Sequence, residues 1–289
     1  MRLIRHPGAE ASDRADVLPC QTVPVRIPLR KGLTLTQAIQ DAMDAAGFRY
    51  GYLRLDGVEL APLAYVMPAP APGDGHAAWY SATQTRGQER ITHGGAHLGL
   101  RDGKAFVHCH ALCDSGAMGH VLCDDSLIAQ DVTITGWGLR GAGLVAQEDA
   151  ETRFTLFRPH PAFPQGEGSL LITLRPNQDI TTALAEIALA HGVDHARIEG
   201  IGSLVGTCFS NGCSIDSYAT EILLLNGRLD EGKADMLIAS VGFDGISQQG
   251  SLARNQNAIC VTAEILLVDE SEEFRNVSVP RASRHDTAL

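Results

Sequence analysis

The chain contains two copies of one sequence unit, and this repeat limits the available folds more than any other feature. Residues 27–57 align without a gap with residues 172–202, and eight of the 31 positions are identical. The similarity returns further along, where DGKAFVHCH in the first copy matches EGKADMLIA in the second. Because a repeated segment forms the same supersecondary unit each time, we expect one chain path to occur twice within 289 residues.

Each copy begins with a short strand followed by a capped helix. Apolar residues recur at helical spacing after each candidate helix start. Thr34 with Gln37 has capping-box spacing, and Asp179 is the aligned N-cap candidate. Gly47 and Gly192 lie where a helix C-terminus favours a left-handed residue. Several strand-like runs follow in each copy, so the sequence predicts an α+β fold with a largely antiparallel sheet.

The repeat also predicts the domain organisation. We expect one unit at 24–140 and a second unit at 155–270, with a linker at 141–154 and a polar tail at 271–289. The first unit carries a Pro-rich insertion, MPAPAPGDGH at 67–76, which is typical of an exposed loop.

Charge and cysteine content limit the partners and the compartment. The formal net charge is −11, and lysine occurs only at Lys31, Lys104 and Lys233. An acidic chain is repelled by nucleic acid and by anionic membranes unless a local basic patch offsets the charge. No apolar stretch approaches the roughly 18 residues of a membrane span, and the N-terminal segment lacks the apolar core of a signal peptide. The seven cysteines, an odd number at irregular spacing, favour a reduced, cytoplasmic protein.

Three histidines of the first unit form a candidate metal site. AFVHCHA reads as a strand, so His108 and His110 point to the same face, with their Cα atoms about 6.5–7 Å apart. His120 follows a Gly-containing turn and can return on a neighbouring strand as a third ligand. Zinc binds imidazole nitrogen, and three protein ligands leave the fourth position for water or substrate. We therefore predict a zinc site at these histidines, where bound water can become a nucleophile.

The second copy lacks all three histidines. The sequence alignment pairs them with Leu237, Ala239 and Ser251. Because the second copy shares the predicted fold but not the imidazoles, the joint loss indicates that the three histidines act as one unit. The alternative is that they are polar residues of a half-buried strand without a metal.

Other polar residues near the three histidines are weaker candidates. His97 is a candidate catalytic residue that could line the same pocket. Asp114 is a candidate base or orienting carboxylate, although a turn or cap role is the simpler interpretation. The remaining candidates for thiolate or carboxylate contacts are Cys113, Cys123, Asp124 and Asp125.

The motifs of the two copies together resemble the plants-and-prokaryotes-conserved (PPC) domain. The second copy supplies ARIEGIGSL, EILLLNG and VTAEILL, and the first supplies DGKAFVHCH followed by GHVL. The resemblance covers most of the chain. It implies two tandem units, each a mostly antiparallel sheet of about seven strands with packed helices, assembled as a homo-oligomer, usually a trimer. It also implies a zinc-like metal bound through residues that match His108, His110 and His120.

The resemblance does not extend to the DNA-binding pattern of the plant members. Those proteins carry an AT-hook, whose short R-G-R-P-like core enters the minor groove of A·T-rich DNA. This chain has no such core, and the nearest segment is RGQER at 86–90. Together with the net charge of −11, the missing core argues against direct nucleic-acid binding.

Two functions of different classes remain open from the sequence. In the first, the zinc site keeps an open coordination position and acts on a small-molecule substrate. In the second, the protein is a non-catalytic assembly or regulatory module in which the metal stabilises the fold. The fourth coordination position separates the two, because water in an open cleft favours chemistry and a protein ligand favours structure.

Overall fold

The computed structural model describes residues 1–270. The helices are α1 (Leu35–Ala45) and α2 (Ile180–Ala190). The strands are β1 (Ala15–Leu29), β2 (Gly51–Arg54), β3 (Glu59–Leu60), β4 (Leu63–Val66), β5 (Pro68–Ala69), β6 (Trp79–Tyr80), β7 (Gln84–Arg86), β8 (Glu89–Arg101), β9 (Lys104–Cys113), β10 (Met118–Val121), β11 (Val132–Arg140), β12 (Ala142–Glu148), β13 (Thr155–Pro161), β14 (Ser169–Leu174), β15 (His195–Leu204), β16 (Thr207–Cys208), β17 (Ser214–Ile215), β18 (Thr220–Asp230), β19 (Lys233–Val241), β20 (Ser247–Ser251) and β21 (Ile259–Asp269).

The expectation of an α+β fold with packed helices is wrong, because the protein is mostly β. Strand accounts for 54% of the structure and helix for 8%, with two helices in the described chain. Helical periodicity occurs in one 11-residue segment of each copy, whereas most of the remaining chain alternates or is continuously apolar. The segments outside the repeat add strands rather than helices, since both the Pro-rich region and the predicted linker contribute to β-structure.

The helix boundaries agree with the capping signals in the sequence. The Thr34 hydroxyl accepts a hydrogen bond from the Gln37 backbone N–H, and the Asp179 carboxylate accepts one from the Thr182 backbone N–H. Gly47 and Gly192 follow the two helices with φ of 80° and 69°, a left-handed conformation that glycine adopts without steric cost. Each helix therefore begins and ends at equivalent positions of the repeat.

The strands form two antiparallel sheets that share β1. The first sheet has the order β1-β11-β2-β8-β9-β10-β4-β7. The second has the order β1-β14-β21-β15-β18-β19-β20. β1 pairs with β14 through residues 15–20 and with β11 through residues 21–29. The hairpin β12-β13 adds to the first sheet beside β8.

Each sheet has an apolar core of its own, and a third apolar cluster joins the two sheets. α1 packs on the first sheet and α2 on the second. The shared cluster consists of Leu112, Met118, Ile201, Leu223, Ala239 and Val241. Beside it, the Arg54 guanidinium pairs at 2.5 Å with the carboxylate of the buried Glu199. These contacts hold β9 and β10 of the first sheet against the second sheet, which positions the histidines described below.

Two further expectations concern parts of the chain outside these contacts. The domain bounds at 24–140 and 155–270, with the linker at 141–154, remain predictions, and the predicted tail at 271–289 lies outside the described residues. Within residues 1–270, neither helix is long and apolar enough to cross a membrane.

Candidate metal centre

The hairpin β9-β10 brings the three predicted histidines together. His108 and His110 lie two residues apart on β9, and His120 lies on β10 directly opposite His110. One potential ligand nitrogen from each ring lies within 4.8 Å of the others. The ring centroids are separated by 4.7, 5.0 and 5.6 Å. The alternation of the strand and the register of the hairpin therefore produce the cluster that the spacing predicted.

A glycine at position 119 lets the next strand approach the hairpin. A Cβ atom at Gly119 would lie 2.3 Å from the Val66 carbonyl oxygen of β4, well inside a van der Waals contact. Val66 is the residue that pairs with His120 across this strand boundary. Glycine at this position thus allows β10, which carries His120, to lie between β9 and β4.

The second sheet supplies two carboxylates and a carbonyl to the cluster. Glu264 of β21 accepts a hydrogen bond from His108 Nδ1 and is almost fully buried. The backbone carbonyl of Ile222 accepts a hydrogen bond of 2.8 Å from His110 Nδ1. Glu221 Oε2 lies 2.5 Å from His110 Nε2, on the other side of the same ring. The centre is therefore formed by both sheets, with imidazoles from the first and acceptors from the second.

These contacts orient two of the rings in the way known for metal-bound histidine. Histidine ligands usually donate one ring N–H to a carboxylate or backbone carbonyl, which fixes the tautomer and leaves the other nitrogen for the metal. His108 donates to Glu264 and His110 donates to Ile222, both through Nδ1. Nε2 of His108 thus remains for a ligand, whereas Nε2 of His110 is paired with the Glu221 carboxylate. At His120, Nδ1 is buried without a hydrogen-bond partner among the described residues.

The charges of the cluster differ between its members. Burial acts to lower the pKa of His110, but the Glu221 carboxylate and the Ile222 carbonyl outweigh it, so the pKa rises to about 8. Burial lowers the pKa of His120 well below its ordinary value, and the neighbouring His108 and His110 lower it further. His120 is therefore a neutral imidazole near neutral pH, which is the form that binds a metal.

Glu264 is the anion of the centre with the most contacts. Burial acts to raise the pKa of Glu264, but the charge and hydrogen bond of His108 outweigh it and the pKa is lowered. The backbone carbonyl of the same residue accepts a hydrogen bond of 3.1 Å from His97 Nε2. An ionised carboxylate in a buried setting requires such partners, and here it stabilises the N–H of His108.

The centre opens into a cavity of about 380 Å³ between the two sheets. All three histidines of the cluster line it, together with Glu221 and Glu264. Aromatic side chains form much of the remaining wall, and they are Trp79, Tyr80, Phe106, Phe154 and Phe157. The cluster is therefore accessible to a small molecule rather than enclosed in the core.

The other candidate residues lie outside the cavity wall. His97 is fully buried, pairs with His108 across β8 and β9, and has its pKa lowered by burial to about 4. It touches the centre only through the Glu264 carbonyl. Asp114 lies exposed in the turn between β9 and β10. Neither residue lines the cavity, so the structure places His97 behind the cluster and Asp114 at the far end of its hairpin.

The thiols and the remaining aspartates are also separate from the cluster. Cys113 and Cys123 are buried in the first core, and Cys109 lies with them on the opposite side of β9 from the histidines. Asp124 and Asp125 are exposed in the segment after β10. The group of potential metal ligands found in residues 1–270 consists of the three histidines alone.

The second copy shows which residues replace the cluster. The pair His97–His108 of the first sheet corresponds to the pair Asn226–Leu237 of the second. In the same way, the pair His110–His120 corresponds to the pair Ala239–Gln249. The strand register thus makes Gln249 the counterpart of His120, so the alignment of His120 with Ser251 is wrong by two residues.

Sequence reasoning missed the contributions of Glu221, Glu264 and the Pro-rich region. The two glutamates stand in the apolar runs TEILLL and VTAEILL, and a carboxylate inside such a run is a signal for a buried charged site. The Pro-rich region is largely exposed, as expected for a loop, but its last residue, His76, packs on Trp79 and Phe154 with ring centroids 4.5 and 5.0 Å away. These rings form part of the aromatic wall of the cavity, and the wall is visible only in the structure because its residues come from distant segments of the chain.

Comparison with known proteins gives matches in structure. No protein-family model and no curated protein matches the chain. A putative DNA-binding protein from Ralstonia eutropha matches with 14% identity and a TM-score of 0.36, over 46% of this chain and 88% of its own. A metal-containing protein from Archaeoglobus fulgidus matches with 15% identity and a TM-score of 0.36, over 54% of this chain and 99% of its own.

A third solved structure carries the name of the family that the sequence motifs resemble. It is a plant- and prokaryote-conserved (PPC) protein from Pyrococcus horikoshii, with 14% identity and a TM-score of 0.35. The match covers 48% of this chain and 94% of the Pyrococcus protein. The structural neighbours of this chain thus include a PPC protein.

Proposed function

We propose that this protein binds zinc through His108, His110 and His120 and uses the site on a small molecule that enters the cavity. The observation that carries the proposal is the hydrogen bond that His108 and His110 each donate through Nδ1 to the second sheet. Glu264 and the Ile222 carbonyl each accept an Nδ1–H, so Nε2 is the nitrogen through which His108 and His110 would bind a metal. At His110, the metal would replace the proton that Nε2 now shares with Glu221. A buried carboxylate that holds an imidazole in one tautomer is the usual outer partner of a metal-bound histidine.

The donor set fits zinc and leaves a position for another ligand. Three neutral imidazoles are the ligands of many catalytic zinc sites, in which the fourth position holds water or substrate. His120 Nδ1 is a buried nitrogen without a hydrogen-bond partner in the described chain, and a metal would satisfy such an atom. Zinc bound there would supply Lewis acidity and lower the pKa of a bound water toward about 7.

The protein's own residues give this site its further chemistry. Glu221 lines the cavity and lies beside His110, so its Oε2 can accept a proton from a reacting group. Glu264 keeps His108 in one tautomer and balances positive charge at the centre. The aromatic wall limits the access of bulk water and raises the strength of these electrostatic interactions.

The alternative, a metal that only fastens the two sheets, is favoured by one observation. The imidazoles come from the first sheet, whereas Glu221, Glu264 and the Ile222 carbonyl come from the second. Metal binding would therefore stabilise the contact between the sheets. The two functions separate in the zinc-loaded protein, because a catalytic site exchanges its fourth ligand with small molecules and a structural site does not.

The assembly and the compartment belong to the same proposal. We expect a homo-oligomer, with a trimer implied by the resemblance to the PPC domain, and its mass in solution tests this. Cytoplasmic location follows from the odd cysteine count, and cell fractionation tests it.

The experiment for the metal is elemental analysis of the full chain and of a His108→Ala/His110→Ala variant. We expect about one zinc per chain in the unmodified protein and none in the variant. The matched control is His93→Ala/His191→Ala, which removes two exposed imidazoles outside the cluster. Zinc retained by the cluster variant, or lost by the control, would contradict the assignment.

A further inference from the structure

The mouth of the cavity carries two cations in a chain with a net charge of −11. Arg101 and Arg153 both line the cavity and both are exposed residues. Within residues 1–270, no carboxylate forms an ion pair with either guanidinium. Other arginines of the chain, such as Arg54 and Arg158, are paired with acidic side chains. The two free guanidinium groups thus form a local positive field at this opening.

The backbone and a ring fix these two arginines near the opening. Arg101 lies over the Phe106 ring with its Cζ 5.6 Å from the centroid. Arg153 has a left-handed backbone with φ of 63°, a conformation that is strained for a residue with a Cβ atom. A hydrogen bond of 2.7 Å from the Arg153 N–H to the Asp149 carbonyl holds this turn. Both side chains therefore start from constrained positions rather than from mobile loops.

The interior of the cavity combines apolar walls with an unpaired polar group. Phe106 and Phe157 pack edge to face with their centroids 5.5 Å apart, and Trp79 and Phe154 pack at a tilt with the same separation. Thr262 lines the same space, is 5% exposed, and its hydroxyl has no hydrogen-bond partner among the described residues. A buried hydroxyl without a partner favours a ligand with an acceptor or donor at that position.

The charges at the metal centre and at the cavity mouth favour a ligand of negative charge. Glu221 and Glu264 place two negative charges beside the histidines. A divalent cation on the histidines would offset both, and the charges of Arg101 and Arg153 would then remain unbalanced. An anion that reaches the cavity would meet this excess positive charge, and guanidinium groups match carboxylates in geometry.

We infer that the cavity takes a small organic carboxylate with an aromatic or similarly flat apolar body. This inference rests on the proposed zinc site, because the charge balance requires the cation. The volume of about 380 Å³ lies at the lower end of ligand pockets, which suits a compact acid rather than a nucleotide or a peptide. The carboxylate is held by Arg101 and Arg153 at the mouth, and the apolar body lies against the phenylalanines.

The test uses zinc-loaded full chain and two probes of nearly equal shape, benzoate and the neutral benzamide. Calorimetric titration is expected to show benzoate binding at least about tenfold tighter than benzamide. In an Arg101→Gln/Arg153→Gln variant, benzoate should lose about tenfold in affinity while zinc content and benzamide binding stay unchanged. The matched control is Arg140→Gln, because Arg140 also lies over a phenylalanine ring, at 5.4 Å, but outside the cavity.

The possible results separate this inference from the metal proposal. Equal affinity for the two probes, or an unchanged benzoate affinity in the double variant, would overturn the inference while zinc remained bound. Failure of both probes to bind a protein that holds zinc would overturn it as well. A chain that binds no zinc would remove the metal proposal and, with it, the charge balance on which the ligand class depends.

Discussion

The hairpins β9-β10 and β19-β20 occupy equivalent places in the two sheets and differ in chemistry. Both are antiparallel and keep the same register, so His110 faces His120 where Ala239 faces Gln249. The His108 side chain is 13% exposed and contacts Glu264 of the second sheet, whereas its counterpart Leu237 is 41% exposed. The fold therefore forms this hairpin without imidazoles, and the histidines of the first hairpin have a role other than folding.

The largest expected effect comes from converting the first hairpin into the second. The variant His108→Leu/His110→Ala/His120→Gln takes the residues of the second copy at all three positions. Glu221→Gln and Glu264→Gln are added because a buried carboxylate left without a partner costs about 3–5 kcal/mol. We expect zinc content to fall from about one per chain to none, with unchanged far-UV circular dichroism. Retained zinc in the folded variant would contradict the comparison.

A smaller effect is expected when the carboxylate that accepts the hydrogen bond of His108 is removed. Glu264→Gln removes the charge that holds His108 Nδ1 but keeps a side chain of similar shape. Loss of such an outer partner typically weakens metal binding by about 10–100-fold, and we expect the zinc dissociation constant to rise by that factor. Competition with a chromophoric chelator measures it, and Glu186→Gln on α2 is the control. An unchanged constant would show that Glu264 does not support a metal ligand.

Removal of a second buried carboxylate between the two sheets, Asp149, should lower the stability of the protein without changing its zinc content. Asp149 is buried between Arg158 of the first sheet and Arg175, which follows β14 of the second. Asp149→Asn removes the closer of two carboxylates and leaves both guanidinium groups with Asp16 alone, so we expect the free energy of unfolding to fall by about 2 kcal/mol at pH 7. Urea unfolding measures this change. Loss of zinc in this variant would show that the histidine cluster depends on the whole contact between the sheets.

The same carboxylate sets a dependence on pH. Burial acts to raise the pKa of Asp149, but hydrogen bonds from Thr152 and the charge of Arg158 outweigh it and lower the pKa to about 2. Because the folded value lies below the ordinary value of 3.8, the stabilisation is complete above about pH 4 and is lost as pH falls through about 2. The difference in unfolding free energy between the protein and Asp149→Asn should therefore shrink between pH 4 and pH 2. A constant difference would contradict the assigned pairing.

The smallest effect is expected from the reverse exchange. Leu237→His/Ala239→His/Gln249→His places three imidazoles on the second hairpin. The register makes Thr133 the counterpart of Glu264, so this hairpin has no carboxylate in the equivalent place to hold a ring. We expect zinc bound there to be at least about 100-fold weaker than at the first hairpin. Equal affinity at the two hairpins, measured by titration, would show that histidine spacing alone makes the site.

The sequence predicted local features well and contacts between distant segments poorly. Thr34, Asp179 and the three histidines follow from spacing within one segment, and the structure places each as expected. Glu264 and Glu221 lie about 100 residues or more from their histidine partners, and strand periodicity carries no information on which sheet faces them. The α+β assignment failed because two short helices received more weight than the many short strands around them.

X-ray absorption at the zinc edge of the zinc-loaded full chain tests the central claim most directly. The proposal predicts a first shell of three imidazole nitrogens and one oxygen, with Zn–N distances of about 2.0–2.1 Å. A shell that contains sulfur near 2.3 Å, as expected for thiolate ligands, or fewer than three imidazoles, would contradict the account.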